Sequence, residues 1–286
     1  IPPFSLLDST KKEWLDARQF YLNKGIKSEI GRKEGLLGFS ILCTINNGTS
    51  VFDPFLCEIL YKWFCFRGGN ILDCFAGGSV RGIMASFCEM NYYGCDLRSE
   101  QIEENKKQLI EIGKKENFKT DVKWVCDDSI NIKNHFADKK YDLLFSCPPY
   151  ADLEVYSDDV RDISNMNYEN FIESYNTIIQ NSCDLLNDNS FAVFVVSEVR
   201  GKDGIYNNFV SDTIKSFQKA GLKYYNEMIL LNSVGSLPTR AGRVFNASRK
   251  VGRRHQNILV FVKGDWKKAT QKLPKEIVKN NLQVDE

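Results

Sequence analysis

The chain has 286 residues, 43% of them hydrophobic and 26% charged, enough to bury the core of one large domain. Its net charge is only +1, so affinity for a polyanion has to come from a local patch and not from the overall field. Nine cysteines without a Cys-x-x-Cys pair, and two histidines (His135 and His255), give no zinc signature and no secreted disulfide framework; no run of about 18 apolar residues marks a membrane span. Reduced thiols imply an intracellular, cytoplasmic protein. The sequence opens on Ile1, which leaves room for a preceding segment.

Residues 1–48 read as an extension of short amphipathic stretches with a Gly-rich connection from Gly31 to Gly48. A short apolar strand follows at 70–75. Ala76-Gly77-Gly78 then reads as a turn where backbone must approach a ligand, and 79–90 as a helix whose N-terminus attracts a carboxylate. The spacing is not that of the dinucleotide fingerprint, so no pyrophosphate cradle is implied. A second strand, 91–96, ends in Asp96, about 20 residues past the loop, where a carboxylate can take up both ribose hydroxyls. A third, 122–126, ends in Asp127-Asp128-Ser129, placed to meet an adenine amino group.

The fourth strand, 141–146, runs into Cys147-Pro148-Pro149-Tyr150. Proline fixes φ and drives its predecessor into an extended conformation, so these carbonyls, notably that of Pro148, are held at one angle. Beyond them come a helix near 168–186, a strand at 190–199, a helix near 207–220, and strands at 222–231 and 257–263. Alternation of this kind predicts a parallel sheet wrapped by helices. No helical pattern is evident between 231 and 257, so the last strands read as an antiparallel hairpin with a long basic loop. That loop carries Arg240, Arg243, Arg249, Lys250, Arg253 and Arg254 with no acid among them, a composition that neutralises phosphates and reaches base edges. The acids Asp152, Glu154, Asp158, Asp159 and Asp162 after Tyr150 suit a lid or base-contacting loop, and the Lys-rich end, 265–286, a solvated tail.

An exocyclic amine on adenine or cytosine is a poor nucleophile because its lone pair is delocalised into the ring. A catalyst must accept hydrogen bonds from the NH2 group and localise that pair, which preorganised backbone carbonyls can do. An aromatic ring beside them gives an extruded base a stacking surface worth roughly 1–3 kcal/mol.

Taken together, Asp73-Cys74-Phe75-Ala76-Gly77-Gly78-Ser79 and Cys147-Pro148-Pro149-Tyr150 resemble the two signature motifs of DNA methyltransferases that modify exocyclic amino groups. Roughly residues 45–263 look like the phage- and prophage-type, site-specific enzymes of the N4-cytosine/N6-adenine family. Thr49-Ser50-Val51-Phe52-Asp53-Pro54 is similar to the family's segment over the methionine end of the cofactor. The resemblance implies an α/β, Rossmann-like S-adenosylmethionine-dependent fold with a mostly parallel seven-stranded sheet and an antiparallel terminal hairpin. The catalytic domain would span 49–264, with DNA-contacting insertions at 151–167 and 232–256.

It further implies S-adenosylmethionine as cofactor, held by Phe52, Asp53, Asp73, Phe75, Gly77, Gly78, Ser79, Asp96, Asp128 and Ser129. Catalysis would fall to Cys147, Pro148, Pro149 and Tyr150. Duplex DNA with a flipped base is the implied partner, contacted by Arg240, Arg243, Arg249, Lys250, Arg253 and Arg254, with no metal and no membrane. A bacterial or phage-encoded, restriction-modification type of protein fits this pattern. Two departures stand out: Cys147 replaces the usual Asp, Asn or Ser, and Gly77-Gly78-Ser79-Val80 replaces the frequent Gly-Ser-Gly-Thr. Cys147 precedes two prolines, unlike the nucleophile of carbon-5 cytosine enzymes. Three alternatives stay open: an RNA or protein-glutamine methyltransferase with the same Pro-Pro-Tyr chemistry, a non-catalytic DNA-binding module, and a structural or interaction protein. The target base, adenine N6 or cytosine N4, is also open.

Overall fold

The computed structural model describes residues 1–27, 52–149, 159 and 161–275. Nine α-helices and eight strands are present among them. In chain order they are β1 (Leu6–Asp8), α1 (Lys12–Asn23), α2 (Pro54–Phe64), β2 (Asn70–Asp73), α3 (Val80–Phe87), β3 (Asn91–Asp96), α4 (Ser99–Glu116), β4 (Val122–Cys126) and α5 (Ile132–Phe136). Then come β5 (Tyr141–Ser146), α6 (Tyr168–Leu185), β6 (Leu186–Val196), α7 (Phe209–Lys219), β7 (Lys223–Leu231), α8 (Leu237–Ser248), β8 (His255–Lys263) and α9 (Trp266–Gln271).

All the strands join one sheet in the order β1-β7-β8-β6-β5-β2-β3-β4. The central strands are apolar on both faces because both faces are covered. Ile71, Leu143, Val193 and Val260 point to one core, shared with α2, α3 and α4. Leu72, Leu144, Phe194 and Phe261 point to the other, shared with α5, α6 and α7. A period of two split between two cores produces the continuous apolar runs expected of a parallel sheet buried on both sides. Pairing is parallel from β4 through β6, and β8 is antiparallel to both β6 and β7. This is the Rossmann-like, mostly parallel sheet with an antiparallel terminal pair that the motifs imply.

Two differences from the expected fold stand out. The sheet has eight strands and not seven, because β1 adds parallel to β7 with Leu6, Leu7 and Asp8 opposite Ile229, Leu230 and Leu231. Three residues with one buried side chain, Leu7, carry too little pattern to be read as a strand. The stretch between 231 and 257 is also not helix-free, since α8 fills Leu237–Ser248. Pro238 starts it where a missing N–H costs nothing, and Arg249 ends it in the left-handed region at φ +57°.

The chain ends described here pack on the same sheet. Trp14 of α1 is buried in the first core, and Ala269 of α9 joins it beneath β6 and β8. No helix among the described residues is long and apolar enough to cross a membrane.

Candidate active site

A cleft of about 310 Å³ opens at the C-terminal ends of β2, β3, β4 and β5, the edge where open α/β sheets bind ligands. Its wall brings together Phe52, Asp53, Phe75, Gly77, Gly78, Asp96, Asp128, Ser129, Cys147, Pro148 and Pro149, residues spread over nearly 100 positions of sequence. Tyr150 lies outside the described residues, as do Thr49, Ser50 and Val51.

The glycine loop is held from two sides. Gly77 sits at φ +52°, a conformation that other residues resist. Its amide donates to Asp96 Oδ2 (2.7 Å), and its carbonyl accepts from Asn105 Nδ2 of α4 (2.8 Å). The Arg98 amide donates to Asp96 Oδ1 (3.0 Å). Asp96 is thus fixed at the tip of β3, and each oxygen keeps a second acceptor position for a hydroxyl. Leu97 lines the cleft between Asp96 and the β4 tip and offers an apolar face to a purine.

At the β4 tip the two acids divide their work. Asp127 pairs with His135 (2.7 Å); that bond first, with help from Asn131 and the Asp128 amide against burial, holds its carboxyl below the usual carboxylate range. Asp128 caps the following turn through Ile130 N (2.9 Å). Ser129 is turned inward, donating to the Cys74 carbonyl.

Asp73 and Ser79 sit behind the wall and not on it. Asp73 is fully buried, its oxygens meeting Arg81 Nε (2.7 Å), Tyr92 Oη (2.6 Å), Ser146 Oγ (2.6 Å) and the Phe75 amide (3.0 Å). This knot ties the ends of β2, β3 and β5 to α3. Burial pulls the Arg81 pKa down, but the Asp73 carboxylate and the neighbouring Tyr92, Cys147 and Tyr61 raise it further, so the guanidinium stays charged. Removing one partner of such a buried pair typically costs about 3–5 kcal/mol. Ser79, also buried, donates to Gln108 Oε1 of α4 (3.1 Å).

Arg81 is the site residue that motif reasoning missed. It lines the cleft, donates to the Phe75 carbonyl and lies under the Phe52 ring at 5.0 Å. A signal existed: apart from Ser86, α3 has no other polar side chain, and an arginine in so apolar a helix requires a buried acid nearby. Arg98, Arg161, Asn232 and Gln256 also line the cleft without having been singled out, as does Asp162 from the stretch expected to form a lid or base-contacting loop.

Asp53, at the start of α2, is anchored by the N-terminal helix. Asp53 Oδ1 caps α2 through Phe55 N and Leu56 N, while Oδ2 accepts from Trp14 Nε1 (2.9 Å), and Trp14 meets the Phe55 ring edge-on at 5.1 Å. Burial pushes the Cys95 thiol up to about 12 and that of Cys74 higher still, which keeps both in the thiol form at neutral pH.

The expected DNA-contacting residues fall into two groups. Arg240, Arg243 and Arg249 are exposed on or at the end of α8, and Lys250 is half-buried just beyond it. Arg253 and Arg254 are committed locally: Arg253 to the His255 carbonyl (3.1 Å) and Asn257 Oδ1 (2.8 Å), Arg254 to the Asn232 carbonyl (3.2 Å).

No family model matches the chain, and no curated protein matches it either. Among solved structures, magnesium protoporphyrin IX methyltransferase (ChlM) from Synechocystis PCC 6803 with bound SAH has a TM-score of 0.50 at 10% identity, covering 87% of this chain and 99% of that one. The (4+2)-cyclase SpnF has a TM-score of 0.51 at 12% identity, covering 74% and 81%. The chain has the fold these two share. A cyclase and a methyltransferase on one fold leave the reaction to be argued from the site.

Proposed function

We propose that the protein is an S-adenosylmethionine-dependent methyltransferase acting on an exocyclic amino group, adenine N6 or cytosine N4, of a base in DNA. The observation that carries this reading is the convergence, in one cleft, of the glycine loop, Asp96, Asp128 and Ser129 with the backbone of Cys147-Pro148-Pro149. Neither motif alone specifies the chemistry.

The donor set suits the cofactor. Asp96 can accept from two vicinal hydroxyls, Leu97 can cover a purine face, Asp128 can accept from an amino group, and the loop amides can receive a carboxylate at the start of α3. When bound, S-adenosylmethionine supplies an electrophilic methyl on a sulfonium. Phe52 and Asp53 stand at the start of α2, with the Phe52 ring against Phe145 of β5, the strand that leads into Cys147-Pro148-Pro149.

The chain's own part is positioning. The Pro148 carbonyl, rigid between Cys147 and Pro149, accepts an N–H from the target amine and turns the nitrogen lone pair toward the methyl; Cys147 adds a small neighbour at the same amine. Holding nucleophile and methyl in contact supplies much of the rate, since effective molarities for well-oriented partners reach about 10⁵–10⁸ M. The amine proton becomes acidic once the nitrogen is alkylated and leaves to water, so no strong base is needed. Tyr150, next in sequence, is the stacking surface for the flipped base.

The test is transfer of labelled methyl from S-adenosylmethionine to duplex DNA, structured RNA and protein in parallel. The reading expects DNA labelling, abolished by Tyr150→Ala and largely kept by Tyr150→Phe, with cofactor affinity alike in both. Labelling confined to RNA would replace the substrate and keep the cofactor reading.

A further inference from the structure

We propose that α8 is a DNA-reading helix that enters the major groove beside the catalytic cleft, with Arg243 and Asn246 meeting base edges and Arg240 and Arg249 flanking them. The inference rests on the DNA reading above and names the part of the chain that sets sequence preference.

Place comes first. β7 runs parallel to β6, so the β7–β8 connection leaves the sheet on the same edge as the cleft, and Asn232 and Gln256 at its two ends line that cleft. A second hollow of about 280 Å³, lined by Ser197, Glu198, Ser233, Arg253, Arg254 and His255, shares those two residues and extends the groove along this edge.

The helix itself is unlike the others. It has 12 residues and none is buried; only Leu237 and Ala241 are half-buried. At about 100° per residue these two lie on one side together with Val244 and Phe245, which are exposed, while Thr239, Arg243 and Asn246 fall opposite and Arg240 lies beside them. A helix with so little buried surface and an outward polar stripe is not there to complete a core. At about 1.5 Å per residue it is roughly 18 Å long, a length and width that a major groove about 12 Å wide accepts.

Charge indicates the occupant. From Met228 to Gly264 the sequence contains no Asp or Glu. Among the described residues no carboxylate pairs with Arg240, Arg243, Arg249 or Lys250, although surface Arg161 and Lys215 have such partners. Arginine matches guanine O6 and N7 as a fork, and asparagine matches adenine N6 and N7. Arg253 and Arg254, held by backbone and Asn257, instead stiffen the base of the excursion. The helix is therefore presented from a fixed frame.

The decisive variant is Arg243→Lys, which keeps the charge and loses the fork. Wild type, Arg243→Lys and Asn246→Ala are incubated with S-adenosylmethionine and a randomised duplex DNA library, and methylated sites are sequenced. The inference expects ~10-fold or greater loss of discrimination at one or two base pairs in each variant, with cofactor affinity by calorimetry unchanged. Methylation by all three proteins at one identical motif overturns the α8 inference and leaves the DNA reading standing. No methylated DNA from wild type overturns both.

Discussion

The strand-end cleft and the α8 excursion sit on the same edge of the sheet and are built in opposite ways. Around the cleft these polar groups are already committed: Asp73 to three hydrogen-bond donors and the Arg81 guanidinium, Asp127 to His135, Gly77 to Asp96 and Asn105. Along α8, Arg240 and Arg243 face solvent on a helix with no buried residue. A small cofactor of fixed shape is served by preorganised groups that need not move. A long polyanion is served by charges left unsatisfied until it arrives, because counterion release and base contacts supply their partners.

That contrast can be broken most severely at Asp73. Asp73→Asn leaves Arg81 buried without its counter-charge, and a loss of about 3–5 kcal/mol in unfolding free energy is expected by chemical denaturation. A change under about 1 kcal/mol would remove the buried knot from the account. Next in size is Asp96→Ala, expected to weaken S-adenosylmethionine binding by about 1.5–3 kcal/mol. Unchanged affinity in calorimetry would take Asp96 out of the ribose role.

Trp14→Phe sharpens the same comparison more gently. It deletes the hydrogen bond to Asp53 and keeps a ring against Phe55, so the cofactor KM should rise by the equivalent of about 0.5–1.5 kcal/mol with kcat nearly constant. A fall in kcat at constant KM would argue against a positioning role through Asp53. Smallest of all should be the stability change in Arg243→Ala, within about 0.5 kcal/mol, checked by the same denaturation. A larger loss would show α8 to be structurally committed after all.

The same contrast governs what the sequence makes legible. The strands around the cleft were readable because buried parallel strands are unbroken apolar runs and each ends in a residue type with a chemical reason to be there: glycine, Asp96, Asp128, Pro148. α8 does carry a helical apolar stripe, Leu237, Ala241, Val244 and Phe245, but it was hidden because that stripe is short, interrupted by basic residues, and accompanied by Pro238 and Gly242, residue types that favour loops. β1 was hidden by its length. Asp73 looked like a ligand by its position at a strand end. The partners that draw it inward, Arg81, Tyr92 and Ser146, are brought together only by the tertiary fold. Ser79 likewise opens the helix in sequence and faces Gln108 in space.

The central claim is methyl transfer to an exocyclic amine in DNA. It is tested most directly by digesting duplex DNA to nucleosides after incubation with the protein and isotopically labelled S-adenosylmethionine, and identifying the product by mass spectrometry. The expected result is labelled N6-methyladenine or N4-methylcytosine, lost in Tyr150→Ala. Labelled 5-methylcytosine, or no labelled nucleoside from DNA under conditions where the cofactor binds, would contradict it.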